Sequence, residues 1–401
     1  MQEDVFPAAE KILSDVENIF KKDIDLTSFE IIPVEDNQNK SPVLHDNNSL
    51  GLASWCIRPL FCYVYNRLFD LRLNQCRREH STVISKWLLG ALLLNPDILT
   101  FWNMRRQFIR NGKLDPMEEL RFVNIVLYYK AKCFEAFSYR RWILKLLLFK
   151  NQDAIHKIEL LFRNEIQISS MAANRYSNNC HAWNHRKYII SMFETVCISV
   201  FGSLLDKEWE ESTSWCNSHV SDYSGYDYRQ FLLKRLLLRK RRYDQTKICS
   251  NVLEKRRDII IKFVQNALHD YNNVFLHTNS YENILNLLHG VNFTKYSEVT
   301  FEQTLINLSY WVEDCIINTK LLQTFSGHET LWYHRRFLVS SLLALNNSYT
   351  NFFLYKIENL NSTVATTNIS KSLLEIALKM QNKDLIDVAK RISFIKPYCA
   401  R

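Results

Sequence analysis

Apolar residues recur at helical spacing along most of the chain, and short polar breaks sort the periodic stretches into pairs. The run 82–94 is stopped by Asn95-Pro96-Asp97, which ends one helix and offers an N-cap to the next. In that second helix Phe101, Trp102, Met104, Arg105 and Phe108 fall on one face. The same form predicts further hairpins over 117–150, 153–193, 204 to about 239 and 300–345, with polar turns such as 174–179 between their arms. Ahead of them the pattern predicts an amphipathic helix around Val5 to Phe20, an extended stretch from Phe29 to Val34, a polar linker over 35–49 and a capping helix over 50–74. Three regions follow: 1–49 as an N-terminal extension and linker, 50–345 as the helical array with an inserted or degenerate part at about 240–299, and 346–401 as a polar stretch with a last helix over 371–392.

A repeat runs through the array. Five times an aromatic residue is followed three positions later by an arginine: Trp102/Arg105, Phe137/Arg140, Trp183/Arg186, Tyr226/Arg229 and Trp332/Arg335. The arginines are 35, 46, 43 and 106 residues apart, and the first three intervals are close to the period of two-helix repeats. The last leaves room for one degenerate copy, with Tyr281 in the aromatic's place and Ile284 in the arginine's. Counting 21 residues back from the arginine reaches Glu119, Glu165, Glu208 and Asp314, while the first copy departs with Ile84. Residues equidistant from a turn lie level in an antiparallel pair, so each acid is expected to meet the arginine of its own hairpin and satisfy a buried guanidinium. Ser326-x-x-Glu329 ahead of Trp332 predicts a capping box.

Composition sharpens this to an all-α fold, an array of antiparallel helical hairpins in one elongated body. Only 7 glycines and 7 prolines argue against folds that need many tight turns. The 10 cysteines include no Cys-x-x-Cys and none at zinc-site spacing with histidine, so reduced, mostly buried thiols are expected. No metal ligand set and no nucleophile with its base is apparent. Met1 to Glu10 carries three acidic residues and no apolar signal-peptide core, so a cytoplasmic location is expected. The most apolar stretch, 50–69, is interrupted by Arg58-Pro59, Asn66 and Arg67 and is not expected to span a membrane. Only two residues follow Cys399, one short of a prenylation end. The net charge of +9 is concentrated between Lys234 and Arg242 and at Lys255-Arg256-Arg257, which reads as a solvated helix face or a seat for an acidic partner.

Five copies of this aromatic-x-x-Arg helix, with Asn179-Cys180-His181-Ala182-Trp183-Asn184-His185-Arg186 as the fullest, resemble the repeat of protein prenyltransferase α subunits over about residues 82–340. The resemblance implies a right-handed superhelical crescent around a globular β subunit, the Rab geranylgeranyltransferase β subunit first among candidates. It implies that zinc and geranylgeranyl diphosphate belong to that β subunit, that this chain binds no cofactor and is inactive alone, and that the acceptor is a protein with a C-terminal cysteine motif. The family's Lys-Asn-Tyr-x-x-Trp appears here as Lys132-Cys133-Phe134-Glu135-Ala136-Phe137, so Lys132 inherits the diphosphate contact. Glu135 stands where the family can place an amide near the substrate's end, and its charge would repel a terminal carboxylate. In the next copy His181 keeps its place facing the substrate, with Cys180 in place of a tyrosine.

The rival reading is a non-catalytic helical-repeat scaffold, which the substitutions at Glu135 and Cys180 would suit. An RNA-binding repeat draws only on the basic run, since no periodic set of polar base-reading positions is present, and nucleic acid is not an expected partner.

Overall fold

In the computed structural model, described residues are 6–34, 41–73, 79–150, 155–237, 250–269, 298–338 and 340–341. The chain divides into two compact bodies, Met1–Val196 and Cys197–Arg401. The first contains α1 (Ala9–Lys22), three short strands, α2 (Ser54–Leu73) and three hairpins: α3 (Ser81–Leu94) with α4 (Leu99–Arg110), α5 (Pro116–Tyr129) with α6 (Phe134–Lys150), and α7 (Ile155–Arg175) with α8 (Cys180–Val196). The second contains α9 (Ile198–Ser218) with α10 (Tyr223–Leu237), then α11 (Ser250–His269), then α12 (Glu298–Thr324) with α13 over 329–338. The architecture is all-α, as the periodicity predicts, with one small sheet among the described residues. The expected degenerate copy at Tyr281 and Ile284 and the last helix over 371–392 lie outside the described residues.

Two expectations about the N-terminal region need correction. The supposed linker contributes β2 (Val43–Asp46), and the expected capping helix begins with β3 (Ser49–Ala53) before α2 starts at Ser54. β3 pairs antiparallel with β2 and parallel with β1 (Ser28–Ile32). Asn47 and Asn48, with φ of 44° and 62°, form the two-residue turn between Asp46 and Ser49. Asparagine tolerates this left-handed backbone, which matches the twist of the paired strands. That Asn-Asn pair was the sequence signal, obscured by the polar residues around it. On the other side α1 packs onto α3 through Ala9, Ile12, Leu13 and Val16, and a Cβ at Gly90 would collide with the Leu13 side chain.

Between hairpins runs a buried ionic ladder whose wiring differs from the expected one. Arg105 does not wait for an acid of its own hairpin: it grips Glu119 of the next one, Nε donating to Oε2 at 2.6 Å and Nη2 to Oε1. Arg140 donates to both oxygens of Glu165 at 2.5 and 2.7 Å, and Arg229 donates to Asp314 at 2.6 Å. Within its own hairpin each acid instead meets the residue just before the arginine. Tyr139 donates to Glu119 at 2.7 Å, His185 Nε2 to Glu165 at 2.9 Å, Tyr228 to Glu208, and His334 Nε2 to Asp314 at 3.0 Å.

The expected pairs Arg140–Glu119, Arg186–Glu165, Arg229–Glu208 and Arg335–Asp314 are therefore each displaced by one residue. One residue is about 100° of helix rotation, enough to turn the arginine's head from the acid of its own hairpin, as Arg140 turns to Glu165 and Arg229 to Asp314. Its remaining nitrogen still touches the helix it left: Arg186 donates to Ser170 at 2.5 Å, Arg229 to Thr213 at 2.8 Å and Arg335 to Thr319 at 3.0 Å. The departure at Ile84 acquires a cause, because among the described residues no arginine-bearing hairpin precedes the first one.

Candidate functional site

The residues singled out for chemistry converge at the turn ends of the second and third hairpins. Asn179 organises this corner. Its Oδ1 caps α8 by accepting from the Ala182 amide at 3.2 Å, while Nδ2 donates to Ala131 O at 2.7 Å and Ala172 O at 3.1 Å. Asn178 before it takes a left-handed φ of 52°, which turns the chain into α8. Since Ala131 immediately precedes Lys132, the cap of one hairpin fixes the lysine-bearing turn of the previous one. That turn is in turn tied to the first hairpin, through the Lys130–Asp97 ion pair and the Cys133 thiol donating to Pro96 O at 3.5 Å.

Lys132 is exposed, its ammonium 4.6 Å from the Tyr176 ring centroid. It makes no ion pair among the described residues, so its charge is available to a ligand. Phe134, 51% exposed, meets the His181 ring edge-on at 5.5 Å. Burial, then the positive charges of Lys132 and Arg141, hold His181 below the ordinary histidine range against the opposing pull of Glu135, and so favour its neutral form. Lys132, Glu135 and His181 thus share one electrostatic neighbourhood, with Cys180 exposed beside them. The other singled-out residues sit elsewhere: Trp102, Phe137, Trp183 and Tyr226 are buried in the hairpins, and Trp332 and Arg335 are half-buried.

Asp97, Cys133 and Glu135 bring three potential metal-ligand atoms within 4.8 Å of one another, a cluster the sequence spacing did not reveal. The donor set does not suit zinc. Burial pushes the Cys133 thiol up to about 12, its sulfur already accepts from the Ala136 amide at 3.4 Å, and Asp97 is paired with Lys130. Cys133 is better understood as a thiol serving where a polar N-cap residue commonly stands. The groove between α11 and α12 in the second body mixes both signs, and Lys255 there is already held by Glu210 and Glu313.

The expected capping box at Ser326 is not formed. The last described helix starts at 329, and the Ser326 carbonyl accepts from the Trp332 indole at 2.9 Å, as Pro96 O accepts from Trp102 at 2.7 Å. Glu329 takes the Tyr223 hydroxyl at 2.9 Å instead. Among the described residues no helix is long and apolar enough to cross a membrane.

Comparison with known proteins agrees with the repeat. Residues 116–147, 162–193, 205–236 and 311–342 match the protein prenyltransferase alpha subunit repeat, leaving the first hairpin, where Ile84 stands in the place of the repeat's acid, outside the matched stretches. The chain is 30% identical over 349 residues to the protein prenyltransferase alpha subunit repeat-containing protein 1-A of Xenopus laevis, covering 84% of this chain and 72% of that one. With the human protein prenyltransferase alpha subunit repeat-containing protein 1 it is 30% identical over 348 residues, 83% of this chain and 78% of the relative. A more distant likeness, 23% over 186 residues, links it to the geranylgeranyl transferase type-2 subunit alpha of Candida albicans, covering 43% of this chain and 47% of the other.

Proposed function

Since the chain belongs to the protein prenyltransferase alpha subunit repeat family, we propose that it is the α subunit of a heterodimeric protein prenyltransferase, moving a geranylgeranyl group from its diphosphate to a protein cysteine. The reaction forms a bond between the cysteine sulfur and the first isoprenoid carbon and breaks the bond from that carbon to the diphosphate oxygen. Zinc, held by the β subunit with the isoprenoid pocket, supplies a thiolate at neutral pH. The partner proposed is the β subunit of the Rab-type geranylgeranyltransferase; two of the more distant relatives are named geranylgeranyl transferase type-2 subunit alpha.

The observation that carries the proposal is the placing of Lys132, Glu135 and His181 on one corner. The Lys132 ammonium would stabilise the charge that grows on the departing diphosphate, and its turn is immobilised by Asn179 so that little reorganisation is needed. Neutral His181 can donate to or accept from the substrate without adding charge. Glu135 leaves the corner ill suited to a free terminal carboxylate, which supports an acceptor whose end is presented differently from a Cys-a-a-X tail.

Co-expression with the Rab-type β subunit tests the assignment: a one-to-one complex that transfers geranylgeranyl is expected. Lys132→Ala should assemble normally and lose about 100-fold in turnover, the scale seen when one charge-stabilising donor is removed. Unchanged turnover in the assembled variant removes Lys132 from the mechanism, and failure to assemble with any prenyltransferase β subunit favours a scaffold.

A further inference from the structure

A second periodicity lies on the arginine-bearing helices. The positions one and five after the buried arginine are Arg106 and Arg110 on α4, and Arg141 and Lys145 on α6. The position two after it is aromatic in four hairpins, as Trp142, Tyr188, Phe231 and Phe337. In the first body each hairpin's cations reach the next hairpin's ring. Arg106 and Arg110 lie 5.9 and 5.5 Å from the Trp142 centroid, Arg106 lies 5.3 Å from Tyr139, and Lys145 lies 5.9 Å from Tyr188. Lys234 repeats the contact with Phe337 at 5.4 Å within the second body.

No carboxylate among the described residues pairs with this strip. α4 has no acidic residue, α6 has only Glu135 in its first turn, and α8 has only Glu194 near its end. None of Arg106, Arg110, Arg141 and Lys145 forms an ion pair among the described residues. Arg106 and Arg141 are half-buried, and burial holds both below the ordinary arginine range. The Tyr188 phenol oxygen, beside Arg141, is buried with no hydrogen-bond partner among the described residues. A solvated face normally intersperses both signs; this one holds cations at fixed spacing with no ion-pair partner among the described residues. RNA is the less suitable occupant, because it would need free ring faces for stacking, and these rings are already covered by guanidinium and ammonium groups.

We propose that Arg106, Arg110, Arg141 and Lys145, braced by Trp142 and Tyr188, seat an acidic surface of the β subunit. The inference rests on the α-subunit reading and adds the chemistry of the contact. Guanidiniums held against rings have lost much of their rotamer freedom, so pairing with carboxylates costs less ordering than it would for free side chains.

The test uses the full chain and purified Rab-type β subunit, with the dissociation constant measured at low and high salt. Arg106→Glu with Arg110→Glu, and Arg141→Glu with Lys145→Glu, should each weaken binding by about tenfold or more, and wild-type affinity should fall with salt. Lys11→Glu with Lys157→Glu, an equal change of charge at exposed positions on α1 and α7, should stay within about twofold. Glutamine at the same four positions should retain the fold and flatten the salt dependence, which keeps the test valid if a reversal misfolds. Double variants that bind like wild type overturn the strip and leave the α-subunit reading standing. A wild-type chain that binds no β subunit overturns both. RNA binding lost in the variants while β-subunit binding persists assigns the strip to nucleic acid and overturns the proposal.

Discussion

Glu165 shows how much one carboxylate carries. It is fully buried, yet it accepts from Arg140 of the preceding hairpin and from His185 of its own, so it joins two repeats. Burial alone would raise its pKa, but the arginine's charge and the two hydrogen-bonding partners outweigh that and hold it at about 2. Replacing Arg140 with Leu should strand the charge and destabilise the fold by about 3–5 kcal/mol. A double-mutant cycle in denaturant should find strong coupling between Arg140 and Glu165. Little coupling is expected between Arg186 and Glu165, the pair that spacing alone suggested. Coupling of the reverse order would refute the wiring. The acids and arginines were legible in the sequence as a set; which met which was not, because a one-residue offset rotates a side chain to another face without altering the repeat.

The turn between α7 and α8 does the same work among helices. Asn179 ends α7, starts α8 and holds the preceding hairpin's turn through three hydrogen bonds. Asn179→Ala would remove the cap and take the side-chain donor from two carbonyls, of which Ala172 O keeps the Tyr176 amide, an expected loss of about 2–3 kcal/mol measured by urea unfolding. Because the Ala131 carbonyl is one of the two, the variant should also lower turnover in the assembled enzyme even at temperatures where it remains folded. A variant with wild-type turnover would show that Lys132 needs no such support. Helix existence and hairpin pairing were readable from apolar spacing and polar breaks. The β2–β3 hairpin and the failed capping box were not, since short polar segments gain their order from partners distant in sequence.

For the folded chain as a whole, pH should act in two steps. Burial lowers His185 from the ordinary value of 6.5, so the unfolded chain takes up a proton before the folded one does, and stability should begin to fall below that pH. Glu165 works lower down: its contribution is complete above about 4.5 and is lost as pH falls toward about 2. Urea midpoints measured from neutral pH down to about 5 should decline in the wild type and decline less steeply in His185→Gln. Equal slopes would show that His185 titrates alike in both states. The acid pulls downward with its arginine, the histidine with its burial, and both favour neutral conditions.

Apolar periodicity and the aromatic-x-x-Arg repeat were enough to set the helices, their pairing into hairpins and the family, because these depend on local spacing that the chain carries wherever it lies. Tertiary structure alone decided the partner of each buried charge, the corner where Lys132, Glu135 and His181 meet, and the rings of the next hairpin that Arg106, Arg110 and Lys145 reach. Those are relations between turns and faces of different hairpins, set by helix rotation and packing, and spacing along one strand of sequence does not encode them.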